Sequence, residues 1–176
     1  YPLIREICDH YEGLFIADEV QTGFGRTGKY FCLEHWNVIP DIITAAKGMS
    51  GGYTPIGAVI AKEEIVECFR KNRSNFVGGH TYCANPLSCA VALAVLEEIA
   101  SRRLVERCRE MGEYLGRGLK ALLTHPGVGD VRGLGLMWGV EFVDDKETKE
   151  PHPRDRQFCH LVTKEAMERG TIIYPG

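Results

Sequence analysis

The sequence predicts an α/β fold, a mostly parallel sheet with helices, followed by a smaller α+β unit. Two observations carry this. Short apolar runs, "LFIA", "DIITAA" and "GAVIA", alternate with stretches of helical periodicity, the pattern of strands joined by helical connections. After Gly127 the texture changes: "GVGDVRG" and "LGLMWGVEFV" alternate like strands of a two-sided or antiparallel sheet.

The elements follow in order. "PLIREICDHY" has apolar residues at helical spacing, Pro2 in a tolerated first-turn position and Gly13 as a stop, so a helix feeds the short buried strand "LFIA". "DIITAA" and "GAVIA" are two further strands bounded by turn chemistry, and the second leads into the helical "KEEIVECFRK". Asn85 is placed to cap a helix whose first turn takes Pro86; its run "LSCAVALAVLEEIA" is apolar on most faces, which predicts deep burial. A longer amphipathic helix spans Leu104 to Leu123. The charged loop "DDKETKEPHPRD" separates the last strands from a final helix, "RQFCHLVTKEAMERG". A soft boundary is expected in the helix before Gly127, dividing the chain into residues 1–120 and 121–176. There is no internal repeat.

Composition bounds the function. At 176 residues and 44% hydrophobic content the chain can bury one core. A formal charge of −3 leaves no electrostatic footprint for nucleic acid or an anionic membrane. No apolar run approaches the ~18 to 20 residues of a membrane-spanning helix. The seven cysteines form no CxxC pair, so neither a disulfide framework nor a zinc ribbon is suggested, and a reducing, cytoplasmic compartment fits, with an organelle matrix also open. Cys32 and His35 have a ligand-like gap, but no second pair completes a metal site. The chain begins at Tyr1 and stops at "IIYPG", in or just after a strand-like run, so both ends read as cut.

Candidate chemistry centres on "IADEVQTGFGRTGKYF". Asp18 ends a strand, and ligands of open α/β sheets collect at the carboxyl ends of strands. A "DE" pair after a strand is also ordinary turn chemistry. Lys47 alters the balance: it directly follows "DIITAA" and precedes the glycine-rich "GMSGGYTP", so a second strand end carries an amine in a loop open to close backbone approach. A lysine so placed can form a Schiff base with a carbonyl, and pyridoxal phosphate chemistry pairs such a lysine with an acid at the pyridinium nitrogen.

"LFIADEVQTGFGRTGKYF" through "PDIITAAKGMSGGYTPIGAVI" resembles the cofactor-binding signature of the class III aminotransferases, pyridoxal phosphate enzymes of fold type I. The likeness continues through "GGHTYCANPLSCAVALAVLE" and "RGLGLMWGVEF", leaning towards the ω-amino acid or amine to pyruvate branch. The resemblance implies the cofactor pyridoxal 5'-phosphate, with Asp18 on the ring nitrogen, Val20 on one ring face and Gln21 near the phenolic oxygen. It further implies that Lys47 is the amine that holds the cofactor and then the general base. Thr81 would offer its hydroxyl and backbone amide to the phosphate in the neighbouring subunit's site, which implies a homodimer; a cap or turn role ahead of Asn85 is its alternative. Glu19, Arg26 and Lys29 read as solvated loop charges, His80 as a loop histidine, and the glycines of "RGLGLMWG" as strand packing.

The family's phosphate cup and covering aromatic lie upstream of this motif, and its carboxylate-binding arginine lies beyond Gly176. The expectation is the second half of an enzyme that transfers an amino group from an amine or ω-amino acid to a 2-oxo acid such as pyruvate. An ornithine, 4-aminobutyrate or aminomutase-type enzyme of the same family is the alternative. A cofactor-free Schiff-base lyase and a non-catalytic assembly piece are readings from other classes. By itself the 176-residue chain is expected to be aggregation-prone or dependent on a partner, to bind the cofactor weakly and to be inactive.

Overall fold

The computed structural model describes residues 1–75 and 77–175. Helix α1 (Pro2–His10) leads to β1 (Ile16–Asp18); a loop with one 3₁₀ segment (Cys32–Trp36) leads to β2 (Ile42–Ala45). A 3₁₀ turn (Lys47–Met49) and a loop precede β3 (Ala58–Ala61), α2 (Glu63–Lys71) and α3 (Pro86–Ser101). Next come α4 (Leu104–Lys120), β4 (Val128–Leu134), β5 (Met137–Phe142) and α5 (Phe158–Glu168).

The three-stranded sheet has the order β1-β2-β3. Strands β1 and β2 are parallel, with Ile16 opposite Ile42 and Asp18 opposite Thr44. The sheet is mixed: β3 runs antiparallel to β2, with Ala45 opposite Ala58, where alternation predicts a mostly parallel arrangement. The cause lies in the connection 46–57: it holds a single 3₁₀ turn and no crossover helix, so the chain returns alongside β2. The core by this sheet gathers Phe15, Ala17 and Leu33, with Cys8, Val38 and Ile43 against them.

Burial departs from expectation in two elements. In "LFIA" only Phe15 and Ala17 are buried, whereas Leu14 and Ile16 face outward, so the strand alternates. Helix α3 starts as its sequence dictates, with Pro86 in the first turn and the Asn85 side chain accepting the Ser88 N–H at 3.1 Å. It is not deeply buried: Ala92 and Ile99 are, but Leu87 and Leu93 are 72% and 59% exposed. The described elements of this chain cover part of its circumference, so its uniform apolarity is matched by packing on one side only.

The chain forms two compact units, residues 1–113 with 134–137, and residues 114–133 with 138–176, which part within α4. In the second unit β4 and β5 pair, and the two residues 135–136 between them require an antiparallel hairpin. Val143 is its most buried side chain and lies where a Cβ on Gly129 would sit, 2.6 Å from Cγ1. A Cβ on Gly116 would fall 2.2 Å from the Trp138 ring, so this α4 position admits the indole only because it is glycine. Phe142 meets Phe158 of α5 at 5.6 Å, and His152 stacks on Phe158 at 4.0 Å.

One carboxylate organises the first unit. Asp41 is 9% exposed and accepts hydrogen bonds from Arg5 Nη1, the Phe15 N–H and Lys62 Nζ, each at 2.7 Å. Burial pushes its pKa up, but the bonds from Lys62, the Phe15 amide and Arg5 outweigh that and hold it well below the usual carboxylate range. A depressed acid stabilises the fold above its unfolded pKa of about 3.9, and that contribution disappears as pH falls through the folded value. Asp41→Ala is expected to cost about 3 kcal/mol at neutral pH, because it strands two partly buried cations and an amide. Urea midpoints against pH check this: the wild type loses stability below about pH 4, and the variant lacks that part of the slope.

Candidate active site

The parallel pair sets the site. Register places Asp18 beside Thr44 at the carboxyl ends of β1 and β2, and Lys47 follows Thr44 by three residues. Both chemical groups therefore leave the sheet at one edge. Asp18 Oδ1 accepts the Val20 N–H at 2.9 Å, and Oδ2 has no partner among the described residues. Val20 is half-buried and Gln21 exposed in the same loop.

Lys47 begins the 3₁₀ turn with φ 39°, a left-handed conformation that non-glycine residues adopt rarely and at a cost of about 1 to 3 kcal/mol. Its surroundings impose this. Met49 and Ser50 are buried, Ser50 Oγ donates to the Thr54 carbonyl at 2.6 Å, and Thr54 Oγ1 meets Ser88 Oγ of α3 at 2.9 Å. A Cβ on Gly48 would lie 3.2 Å from Phe24 Cβ and 3.3 Å from the Gly23 carbonyl, so the Lys47 turn packs directly on the loop after Asp18. The ammonium is exposed and has no carboxylate partner among the described residues.

Thr81 is exposed in the turn ahead of α3. No hydrogen bond among the described residues joins it to Asp18 or Lys47. His80 donates its N–H to Cys83 Sγ at 3.3 Å within the same turn.

Two features of the 19–33 loop depart from or extend the sequence reading. Arg26 and Lys29 are exposed, as solvated charges should be, but Glu19 is 2% exposed. It accepts the Cys32 and Leu33 N–H groups at 3.0 Å each and the Thr22 hydroxyl. The signal was present in the sequence: Phe15, Ala17 and Glu19 share one phase of a period of two, and that phase faces the core. Burial, and then the nearby Glu19 charge, push the Cys32 thiol pKa up, which makes it a poor nucleophile. His35 Nε2 lies 3.0 Å from the Thr27 carbonyl, and no metal-ligand cluster of three occurs among the described residues.

The second feature is a backbone joint. At φ +55°, Gly135 at the hairpin tip presents a position where a Cβ would lie 2.4 Å from the Thr27 carbonyl carbon, and a Cβ on Gly112 of α4 would lie 2.2 Å from Gly135 O. The Leu136 N–H and the Cys108 thiol both donate to the Arg26 carbonyl, at 3.0 and 3.1 Å. Loop, helix and hairpin tip are thus locked together at one carbonyl.

A family model described as aminotransferase class-III matches residues 2–176. The chain belongs to the class-III aminotransferases. A taurine–pyruvate aminotransferase of Bilophila wadsworthia is 46% identical over 86% of this chain and 34% of its own length. The uncharacterized aminotransferase YodT of Bacillus subtilis is 39% identical over 100% of this chain and 40% of its own. Among solved structures, a thermostable (S)-enantioselective omega-transaminase from Thermomicrobium roseum superposes with a TM-score of 0.96 at 41% identity, over 100% of this chain and 39% of that one. This class-III chain thus carries part of the fold type I architecture and spans about two-fifths of the length of such relatives. No helix among the described residues is long and apolar enough to cross a membrane.

The joint yields a prediction independent of any ligand. Gly135→Ala forces a methyl into backbone and is expected to cost about 2 kcal/mol or more. Gly139→Ala, with nothing within 4 Å of its Cβ, should stay within about 0.5 kcal/mol. Urea midpoints of the two variants check the contrast.

Proposed function

We propose that the protein is a pyridoxal-phosphate-dependent aminotransferase that moves an amino group from an amine or ω-amino acid to a 2-oxo acid such as pyruvate. The observation that carries the reading is the placement of Asp18 and Lys47 at the carboxyl ends of two adjacent parallel strands, with the loop of one packed on the turn of the other. A carboxylate oxygen and an exposed amine, each without a partner among the described residues, are the groups that the ring end of this cofactor requires. When bound, the cofactor supplies a carbonyl that captures amines and a ring that withdraws electrons.

The chain's own residues then divide the work. Asp18 holds the proton on the ring nitrogen, with its carboxylate oriented by the Val20 N–H. Val20 would pack on the ring with a stiff β-branched side chain, and Gln21 would serve the phenolic oxygen. Lys47 Nζ would hold the cofactor and, once free of it, would serve as the base that moves the proton at the substrate carbon. Thr81 would reach the phosphate of a second subunit, which implies a homodimer; its exposure in the turn ahead of α3 supports that role. The parting of the units within α4 supports reading 1–120 as the later part of the large cofactor domain and 121–176 as part of the small one. Seven cysteines without a paired pattern support a reducing compartment, the cytoplasm or an organelle matrix.

The pyruvate acceptor is supported by the taurine–pyruvate relative. An adenosylmethionine-8-amino-7-oxononanoate aminotransferase of Anoxybacillus flavithermus is 42% identical over 98% of this chain, which supports a larger oxo acceptor as the second reading.

In the full-length protein, Lys47→Ala is expected to keep the fold, since an exposed loop side chain leaves no cavity, and to abolish borohydride fixation of the cofactor together with turnover. A cofactor adduct still fixed in that variant would overturn the assignment. Asp18→Asn is expected to bind cofactor yet transfer amino groups about 10² times more slowly or worse, because an amide cannot keep the ring nitrogen protonated. Stopped-flow rates with amine donors, followed by pyruvate or the larger oxo acid, read both the loss and the acceptor.

A further inference from the structure

We propose that Glu19 is a positioning residue that fixes Asp18 and Val20 for the cofactor from inside the fold. This rests on the functional reading above. Three observations carry it.

The first is that Glu19 is bonded at both ends. Its backbone N–H donates to the Thr44 carbonyl of β2 at 2.9 Å, and its own carbonyl accepts the Gly23 N–H at 2.8 Å. Its side chain, 2% exposed, crosses to the 3₁₀ segment and accepts the Cys32 and Leu33 N–H groups at 3.0 Å each, with the Thr22 hydroxyl as third donor. One residue therefore ties strand end, loop and return segment together.

The second is the arithmetic of donors. Cys32 N–H and Thr22 Oγ1 converge on Oε2, while Leu33 N–H approaches Oε1. Both oxygens face backbone donors, so only a group that accepts at both positions satisfies them. A glutamine of the same shape turns its NH₂ towards one of those N–H groups and leaves it unsatisfied. No cation pairs with Glu19 among the described residues; a buried carboxylate held by neutral donors alone is a costly choice, retained where its geometry is needed.

The third is adjacency. Glu19 lies between Asp18 and Val20, and the Val20 N–H is the group that holds Asp18 Oδ1 at 2.9 Å. With Glu19 pinned inward, strand alternation turns Asp18 outward and the next N–H back onto its carboxylate. Release of Glu19 frees the loop and with it the orientation of the Asp18 oxygens.

The test uses the full-length protein and pyridoxal 5'-phosphate itself. In the cofactor-free protein, Glu19→Gln is expected to speed amide hydrogen exchange across residues 20–33 while the amides of β2 keep their protection. Cofactor titration should show binding weakened about tenfold or more, the scale for groups that orient a ligand residue from behind. A double-mutant cycle then separates positioning from general destabilisation: Glu19→Gln in the Asp18→Asn background should add little further weakening. Independent, multiplying effects, or unchanged exchange and affinity, would overturn the proposal. If Glu19→Gln does not fold, Thr22→Val removes one donor and carries the test, with a smaller shift in the same direction expected and no shift overturning it. Should the wild type itself bind no cofactor, the functional reading falls and this proposal with it, whereas wild-type binding with an indifferent Glu19→Gln overturns the positioning role alone.

Discussion

The carboxylate of Asp41 is the constraint on which the first unit turns. Its three donors come from α1, from the residue that enters β1 and from the residue that follows β3, while its backbone joins the start of β2 to Phe15 and Lys62. A single acid at the amino end of β2 therefore fixes where all three strands begin or end. A slip of one residue would exchange the inner and outer faces of β1 and turn Asp18 into the core. The chemistry at the carboxyl edge thus depends on an ion-pair hub at the opposite edge, one strand length away.

The neighbouring acids Asp18 and Glu19 show what that register accomplishes. They are chemically alike and adjacent, yet one is exposed with an oxygen to spare and the other is buried among donors. The difference comes from strand phase alone. A pair of consecutive carboxylates at a strand end divides into a group that faces outward and a group that holds the loop. The glycine joint at Arg26 and Thr27 completes the frame, because packing backbone on backbone leaves the loop less room to shift than packing through side chains.

What the sequence made legible was local. The Asn85–Pro86 helix start, the strand ends at Asp18 and Lys47 and the hairpin after Gly127 each follow from a few consecutive residues, and the structure has them. What stayed hidden depends on distant partners. The antiparallel return of β3 is set by what the connection 46–57 lacks, and the Asp41 hub and the Gly135 contacts join residues far apart in the chain. The burial of α3 was overestimated because apolar composition says how much surface a helix can hide, and only its neighbours decide how much is hidden. Glu19 is hidden for a different reason: a "DE" pair reads as the start of a loop, whereas the strand's alternation runs one residue further.

Lys47 brings these constraints to one atom. A lysine in a left-handed backbone, exposed and without a counter-charge among the described residues, makes no ion pair there that adds stability, and the strain at its φ of 39° opposes folding. It is kept there by the buried Met49 and Ser50, by the Ser50–Thr54–Ser88 relay to α3 and by Gly48 pressed on Gly23 and Phe24. The turn is rigid on both flanks, while the side chain that leaves it is free. Such an arrangement suits the role proposed for Lys47, an amine that would hold a carbonyl group and also serve as a base, because only the four-carbon stem need move between the two. The backbone supplies the fixed origin of that reach, and the Asp18 loop packed against it keeps the acid and the amine on one common frame.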